Sequence, residues 1–156
     1  MIPTKKRVDF TLKFTFVTLF PNLIEPYFYD SILKRAIEAN FISYEFYNPR
    51  DFTTNKHKKV DDQIVGGGAG MLLLCQPLFD CLNEIKSKDS DAYIIFPLAA
   101  AKPFRQNDAK RLAKKKNIVF VSGRYEGIDE RVIEKYANEV FSIGEFVLTG
   151  GELPSL

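Results

Sequence analysis

The chain has 156 residues, 46% apolar and 27% charged, a length and balance that suit one globular domain with a real core and exclude disordered, collagen-like and disulfide-scaffold classes. Its formal net charge of +2 conceals an asymmetry: residues 1–116 hold 19 Lys/Arg against 13 Asp/Glu, a net +6, and residues 117–156 hold 3 against 7, a net −4. A mildly basic body with an acidic last quarter permits nucleic-acid contact without demanding it.

Residues 1–12 read as a polar leader, and the globular part is expected over 13–156. Lys13 to Leu19 (KFTFVTL) is rich in Phe, Thr and Val, the composition of a strand. Phe20-Pro21-Asn22 breaks it. A helix is predicted over about Leu23 to Ala39, with Leu23, Tyr27, Ile32, Leu33 and Ala36 as its apolar positions. Ile42 to Tyr47 alternates like a second strand. Asn48 to Gly70 is long, polar and glycine-ended, and loops of that length inside a compact domain are usually functional or mobile.

A helix from about Gln76 to Lys86 carries Pro77 in its first turn. Ala92 to Pro97 and Asn117 to Ser122 are continuous apolar runs, as in strands buried on both faces. Gln106 to Lys116 reads as a helix with a basic end, and Ile128 to Ala137 as a helix begun by acids. Val140 to Ile143 and Phe146 to Leu148 read as short strands split by Gly144. Strands alternating with helices predict an α/β fold with a mostly parallel sheet flanked by helices. Ligands of such sheets sit beyond the carboxyl ends of the strands. The loops there are Pro97 to Pro103, Ser122 to Gly127, and the stretch around Leu148 to Glu152.

No apolar run reaches the ~20 residues of a membrane-spanning helix. The single histidine, His57, excludes an HExxH zinc site and sits between lysines, a poor setting for a Ser-His-Asp triad. Two cysteines, Cys75 and Cys81, point to a reducing compartment and so to the cytoplasm.

Four motifs carry chemistry. GGGAG (Gly66 to Gly70) is either an anion-binding nest of backbone amides or a flexible hinge, and it lacks the Gly-Lys-Ser/Thr ending of a phosphate loop. SGRYEGIDER (Ser122 to Arg131) puts Arg124 and Glu126 on a loop at a strand's carboxyl end, suited to a base edge, a metal or a phosphate, or else simply turns into a helix N-terminus. SIGEFVLTGGELP (Ser142 to Pro154) has glycines bracketing an apolar run, either a shaped backbone wall for an adenine or a pair of turns. PRDFTTNKHKKVDD offers Arg50, Lys56, His57, Lys58 and Lys59 to phosphates, or is a solvated charged loop.

Taken together, in this order and spacing, these motifs and the opening FVTLFP closely resemble the bacterial tRNA (guanine-N1)-methyltransferases, the TrmD family of the SPOUT superfamily, from about Phe14 to the last residue. The resemblance implies an α/β domain with a deep trefoil knot near its C-terminal end, holding S-adenosylmethionine in an obligate homodimer. The implied activity is methylation of N1 of the guanosine 3′ to the anticodon of tRNA. It implies donor contacts from Phe96, Pro97, Ala100, Gly123, Ile143, Gly144, Glu145, Phe146, Val147 and Leu148, with Gly150 and Gly151 shaping the same pocket. Arg124, Glu126 and Asp61 match positions at the reaction centre, Glu126 as a holder of magnesium or a positioner of guanine. Arg50, Lys56, His57, Lys58 and Lys59 would lie near tRNA.

The sequence departs from the family pattern in two places. Phe96 to Lys102 reads FPLAAAK where a Ser-Pro-Gln-Gly type loop is usual, so Ala100 and Ala101 replace Gln and Gly. The family continues into a small helical domain that grips tRNA and carries the general-base aspartate, and this sequence stops at Leu156. The expectation is therefore an N-terminal domain with little methyl transfer alone. Two other readings remain open: a non-catalytic dimer that binds donor or RNA, and a ribose 2′-O-methyltransferase of the same superfamily.

Overall fold

A computed structural model describes residues 10–63 and 70–156. Five parallel strands form the sheet, in the order β2-β1-β6-β5-β7: β1 (Leu12–Val17), β2 (Ile42–Tyr47), β5 (Tyr93–Pro97), β6 (Asn117–Val121) and β7 (Glu139–Phe141). A separate antiparallel pair joins β3 (Asp61–Gln63) to β4 (Met71–Leu73). The helices are α1 (Ser31–Glu38), α2 (Cys75–Lys88), α3 (Gln106–Leu112), α4 (Glu130–Tyr136) and a short α5 (Glu152–Ser155).

The period-two alternation of strand side chains splits the core between two faces. Val17, Ile94, Phe96, Val119 and Val121 point to one face, under Leu78, Leu82 and Ile85 of α2 and Val132 and Ile133 of α4. The other face has two clusters. Phe16, Ile24 and Phe28 gather Leu33 and Ile37 of α1, while Ile95, Ile118 and Phe141 meet Leu112 of α3. Phe16 sits opposite Phe46 and Phe120 in the sheet register, with ring centroids 5.6 and 5.9 Å away. Such stacks contribute about 0.5–1.5 kcal/mol each beyond the area they bury. Truncating Phe16, which is only 2% exposed, would remove the shared partner of both.

The expected parallel α/β architecture stands, with local corrections. The helix predicted over Leu23 to Ala39 is two 3-10 turns, Pro21–Leu23 and Glu25–Phe28, followed by α1. Pro26 has no N–H to give to a helical ladder, and the Asp30 side chain accepts from the Ser31 N–H, capping a helix that starts there. Leu23, Tyr27 and Ile32 consequently point outward, at 57%, 62% and 70% exposure. The helices predicted to Lys116 and from Ile128 are shorter, as α3 and α4. The first strand starts at Leu12, inside the expected leader, because the Leu12 N–H bonds to the Phe41 carbonyl as β2 arrives.

Phe146 to Leu148 forms no strand: among the described residues no backbone pairs with it, and Val147 is 86% exposed. The long segment Asn48 to Gly70 contains β3, invisible in sequence because Asp61-Asp62-Gln63 is polar. Of GGGAG, residues 66–69 lie outside the described residues; Gly70 has φ +130°, a conformation that favours glycine. Among the described residues no helix is long and apolar enough to cross a membrane.

Candidate functional site

The loops that leave the carboxyl ends of β5, β6 and β7 converge on one open cleft of about 240 Å³. That is below the ~300–1,000 Å³ typical of small-molecule sites, and the cleft is open to solvent on one side. Pro97, Leu98 and Ala99 come from the first loop, Gly123 to Ile128 from the second, and Ile143, Gly144, Phe146 to Leu148, Gly150 and Gly151 from the third.

The second loop is stitched on both sides. The Glu126 N–H donates to the Met71 carbonyl at 3.0 Å, and Leu73 bridges to Ile128, so β4 holds one edge. The Gly151 N–H donates to the Gly123 carbonyl at 2.8 Å, and Arg124 bridges to Gly150, so the terminal segment holds the other. Gly151 must be glycine for a steric reason: a Cβ there would stand 2.8 Å from both Gly123 N and Ser122 Cα. The seam continues inward, where the Ser122 and Ser155 hydroxyls lie 3.0 Å apart and Ser155 Oγ donates to the Gly151 carbonyl.

Arg124 is held rather than free. Its Nε lies 2.8 Å from Oε2 of Glu152, a carboxylate only 3% exposed. The two atoms miss the alignment of a hydrogen bond, so charge holds them together. Thr18 Oγ1 donates to the other Glu152 oxygen at 2.8 Å. Arg124 Nη1 donates to the Thr149 carbonyl, and the guanidinium lies 4.6 Å over the Phe20 ring. Gly150 makes room for the ion pair, since a Cβ there would meet Arg124 Nε at 2.5 Å and Glu152 Oε2 at 2.6 Å.

Tyr125, which sequence reasoning left unassigned, stands at the cleft with φ +58°, an uncommon conformation for a bulky residue, and 46% exposure. Burial and then the Asp61 carboxylate raise its hydroxyl pKa above the ordinary value, while the Arg50 guanidinium pulls the other way. Asp61 and Arg50 are not among the residues that line the cleft. The positive φ is the structural sign of Tyr125; in the sequence its only signal is its place between Arg124 and Glu126.

Of the other expected contacts, Glu126 lines the cleft and is exposed, the one carboxylate of the lining among the described residues. Pro97, Gly123, Ile143, Gly144, Phe146, Val147, Leu148, Gly150 and Gly151 line it too. Phe96 is fully buried in the core, and Ala100 and Glu145 are exposed outside the cleft; Leu98 and Ala99 stand where Ala100 was expected. Lys56, His57, Lys58 and Lys59 are all exposed. Lys58 pairs with Asp51 at 3.4 Å and Lys59 with Asp62 at 3.0 Å.

Known proteins resemble this chain in sequence and in fold. A tRNA (guanine-N(1)-)-methyltransferase of Sulfurimonas denitrificans is 66% identical over 145 residues, 93% of this chain and 63% of that protein. One from Campylobacter jejuni is 59% identical over the same share of the chain and 62% of its own length. The chain thus spans under two thirds of the length of these relatives. A crystal structure of tRNA (m1G37) methyltransferase from Aquifex aeolicus superposes with a TM-score of 0.82 at 31% identity, over 92% of this chain and 64% of that one. The model of the tRNA (Guanine-1)-methyltransferase TrmD family matches residues 12–156, and the chain belongs to that family.

Proposed function

We propose that this chain binds S-adenosylmethionine in the cleft beyond β5, β6 and β7 and serves methylation of guanine N1 in tRNA, at the guanosine 3′ to the anticodon. The observation that carries the reading is the cleft itself. Loops from three parallel strands meet there in a member of the TrmD family, with Arg124 and Glu126 among apolar and glycine-built walls.

The residues present fit the donor. Leu98, Ile143, Phe146 and Leu148 offer apolar surface to an adenosine. Gly150 and Gly151 add lining without side chains. When bound, S-adenosylmethionine supplies a methyl group already activated by its sulfonium. The protein's part is orientation and charge placement. Glu126 is the group that would hold magnesium or a guanine N–H. Arg50, Lys56, His57, Lys58 and Lys59 would take tRNA phosphates from the exposed loop beside Tyr125.

A homodimer belongs to the same reading, supported by the exposed apolar side chains of Phe146, Val147 and Leu153 beside the cleft. So do a trefoil knot, supported by the stitching of residues 150–155 against Ser122 to Arg124, and a cytoplasmic location. Calorimetric titration with S-adenosylmethionine tests the first step. Expected is saturable binding near one donor per chain, with m1G formed in tRNA by the full-length enzyme. A folded chain that binds no donor would end the reading.

A further inference from the structure

Among the described residues the cleft's lining contains one cation, Arg124, and three contacts fix it. Nε faces Glu152, Nη1 donates to the Thr149 carbonyl, and the plane rests over Phe20. Among the described residues Nη2 makes no hydrogen bond and is not a buried orphan, so its N–H groups are available at the cleft. The Arg124 side chain is only 17% exposed, a recess that a small ligand reaches and an RNA backbone does not follow.

Glu152 gives the recess its reason. A carboxylate with 4% of its side chain exposed carries a heavy desolvation cost, and a buried ion pair is weak grounds for stability. Here it has the geometry of a brace. Thr18, at the end of β1, fixes one carboxylate oxygen, and the other oxygen meets the guanidinium. Gly150 is left without a side chain in the space the pair needs.

We infer that Glu152 is a positioning residue, acting with Thr18 to hold Arg124 so that its free guanidinium edge binds the α-carboxylate of the methyl donor. The charge match is direct: the donor has one anionic group, and the cleft lining has one cation. This inference rests on the donor-binding reading above.

The test titrates the chain calorimetrically with S-adenosylmethionine and with decarboxylated S-adenosylmethionine, which differ only in that carboxylate. The wild type should prefer the carboxylated donor by about tenfold or more, the size of a charge-assisted hydrogen bond. Arg124→Lys, which keeps the charge and loses the planar N–H edge, should weaken the preference. Glu152→Gln and the near-isosteric Thr18→Val should reduce it while leaving affinity for the decarboxylated donor unchanged. Thr18→Val keeps the buried charge pair, so it answers the question even where Glu152→Gln melts too low to assay. Equal weakening of both donors in these variants would make Glu152 and Thr18 structural only and overturn the inference. A wild type indifferent to the carboxylate would also overturn it and leave the donor site standing. No binding of either donor would remove the site and the inference together.

Discussion

Two glycines at the cleft show how differently one missing side chain can matter. Gly127 has φ +124° and open space around it, so its constraint is conformational. Gly151 has φ −82°, which any residue adopts, yet a Cβ would strike the backbone of Ser122 and Gly123. Backbone cannot swing aside as a side chain tip can. Gly151→Ala should therefore cost about 1–3 kcal/mol of overpacking and pry the terminal segment from the Ser122 to Gly127 loop. The expected result is a lower urea midpoint together with weakened titration by S-adenosylmethionine. A stability loss without a change in donor binding would place the strain elsewhere.

At the scale of elements, the edge strand β7 is held by a polar clamp. Glu139 accepts from Tyr93 of β5, from Arg111 of α3 and from Lys102 at 3.2 Å. Burial alone would raise the Glu139 pKa, but bonds from Arg111, Tyr93 and Lys102 outweigh it and pull it to about 2, from an ordinary 4.5. A folded-state pKa below the unfolded one means the deprotonated carboxylate favours folding. That contribution, roughly 2–3 kcal/mol, is whole above about pH 4.5 and is lost as pH falls toward 2. Glu139→Gln should lower stability at neutral pH and flatten the acid limb of a urea-midpoint profile in that window.

The clamp also marks the limit of what sequence reveals about elements. The strands Ala92 to Pro97 and Asn117 to Ser122 were legible because both faces are buried and leave unbroken apolar runs. Glu139 has partners on β5, on α3 and on the loop between them, and no periodicity announces them. Phe146 to Leu148 misled for the opposite reason: its residues are apolar and β-prone, but they face outward as the wall of a cleft. The long polar segment before Gly70 concealed β3, whose pairing is set by its neighbour β4. Within the site, Arg124, Glu126 and the glycines were legible from their place after a buried strand. The Thr18–Glu152–Arg124 brace was not, since 134 residues separate Thr18 from Glu152.

For the whole molecule, charge is divided along the chain, basic before residue 117 and acidic after it. The basic loop around Lys56 and His57 is exposed, and two of its lysines are already paired with Asp51 and Asp62. Lys56 and His57 thus form the outward remainder. Replacing Lys56 by Ala should weaken tRNA binding severalfold at low salt, with the difference closing as KCl rises and the salt slope falling by about 1. Equal weakening at all salt concentrations would mean the loop reads shape or base rather than charge.

The stitching of residues 150–155 against the loop after β6 has a further consequence in time. The cleft needs β1, near the start of the described chain, and α5, at its end. Contacts so distant in sequence form late and slowly. Once β1 lies beside β6, the Thr18–Glu152 bond, the longest-range of these contacts, is still to be made. Ligand competence should thus lag behind secondary structure during refolding. Far-ultraviolet dichroism would recover in an earlier phase and donor capture in a later one, so that ability to bind S-adenosylmethionine becomes a clock for the last event of folding.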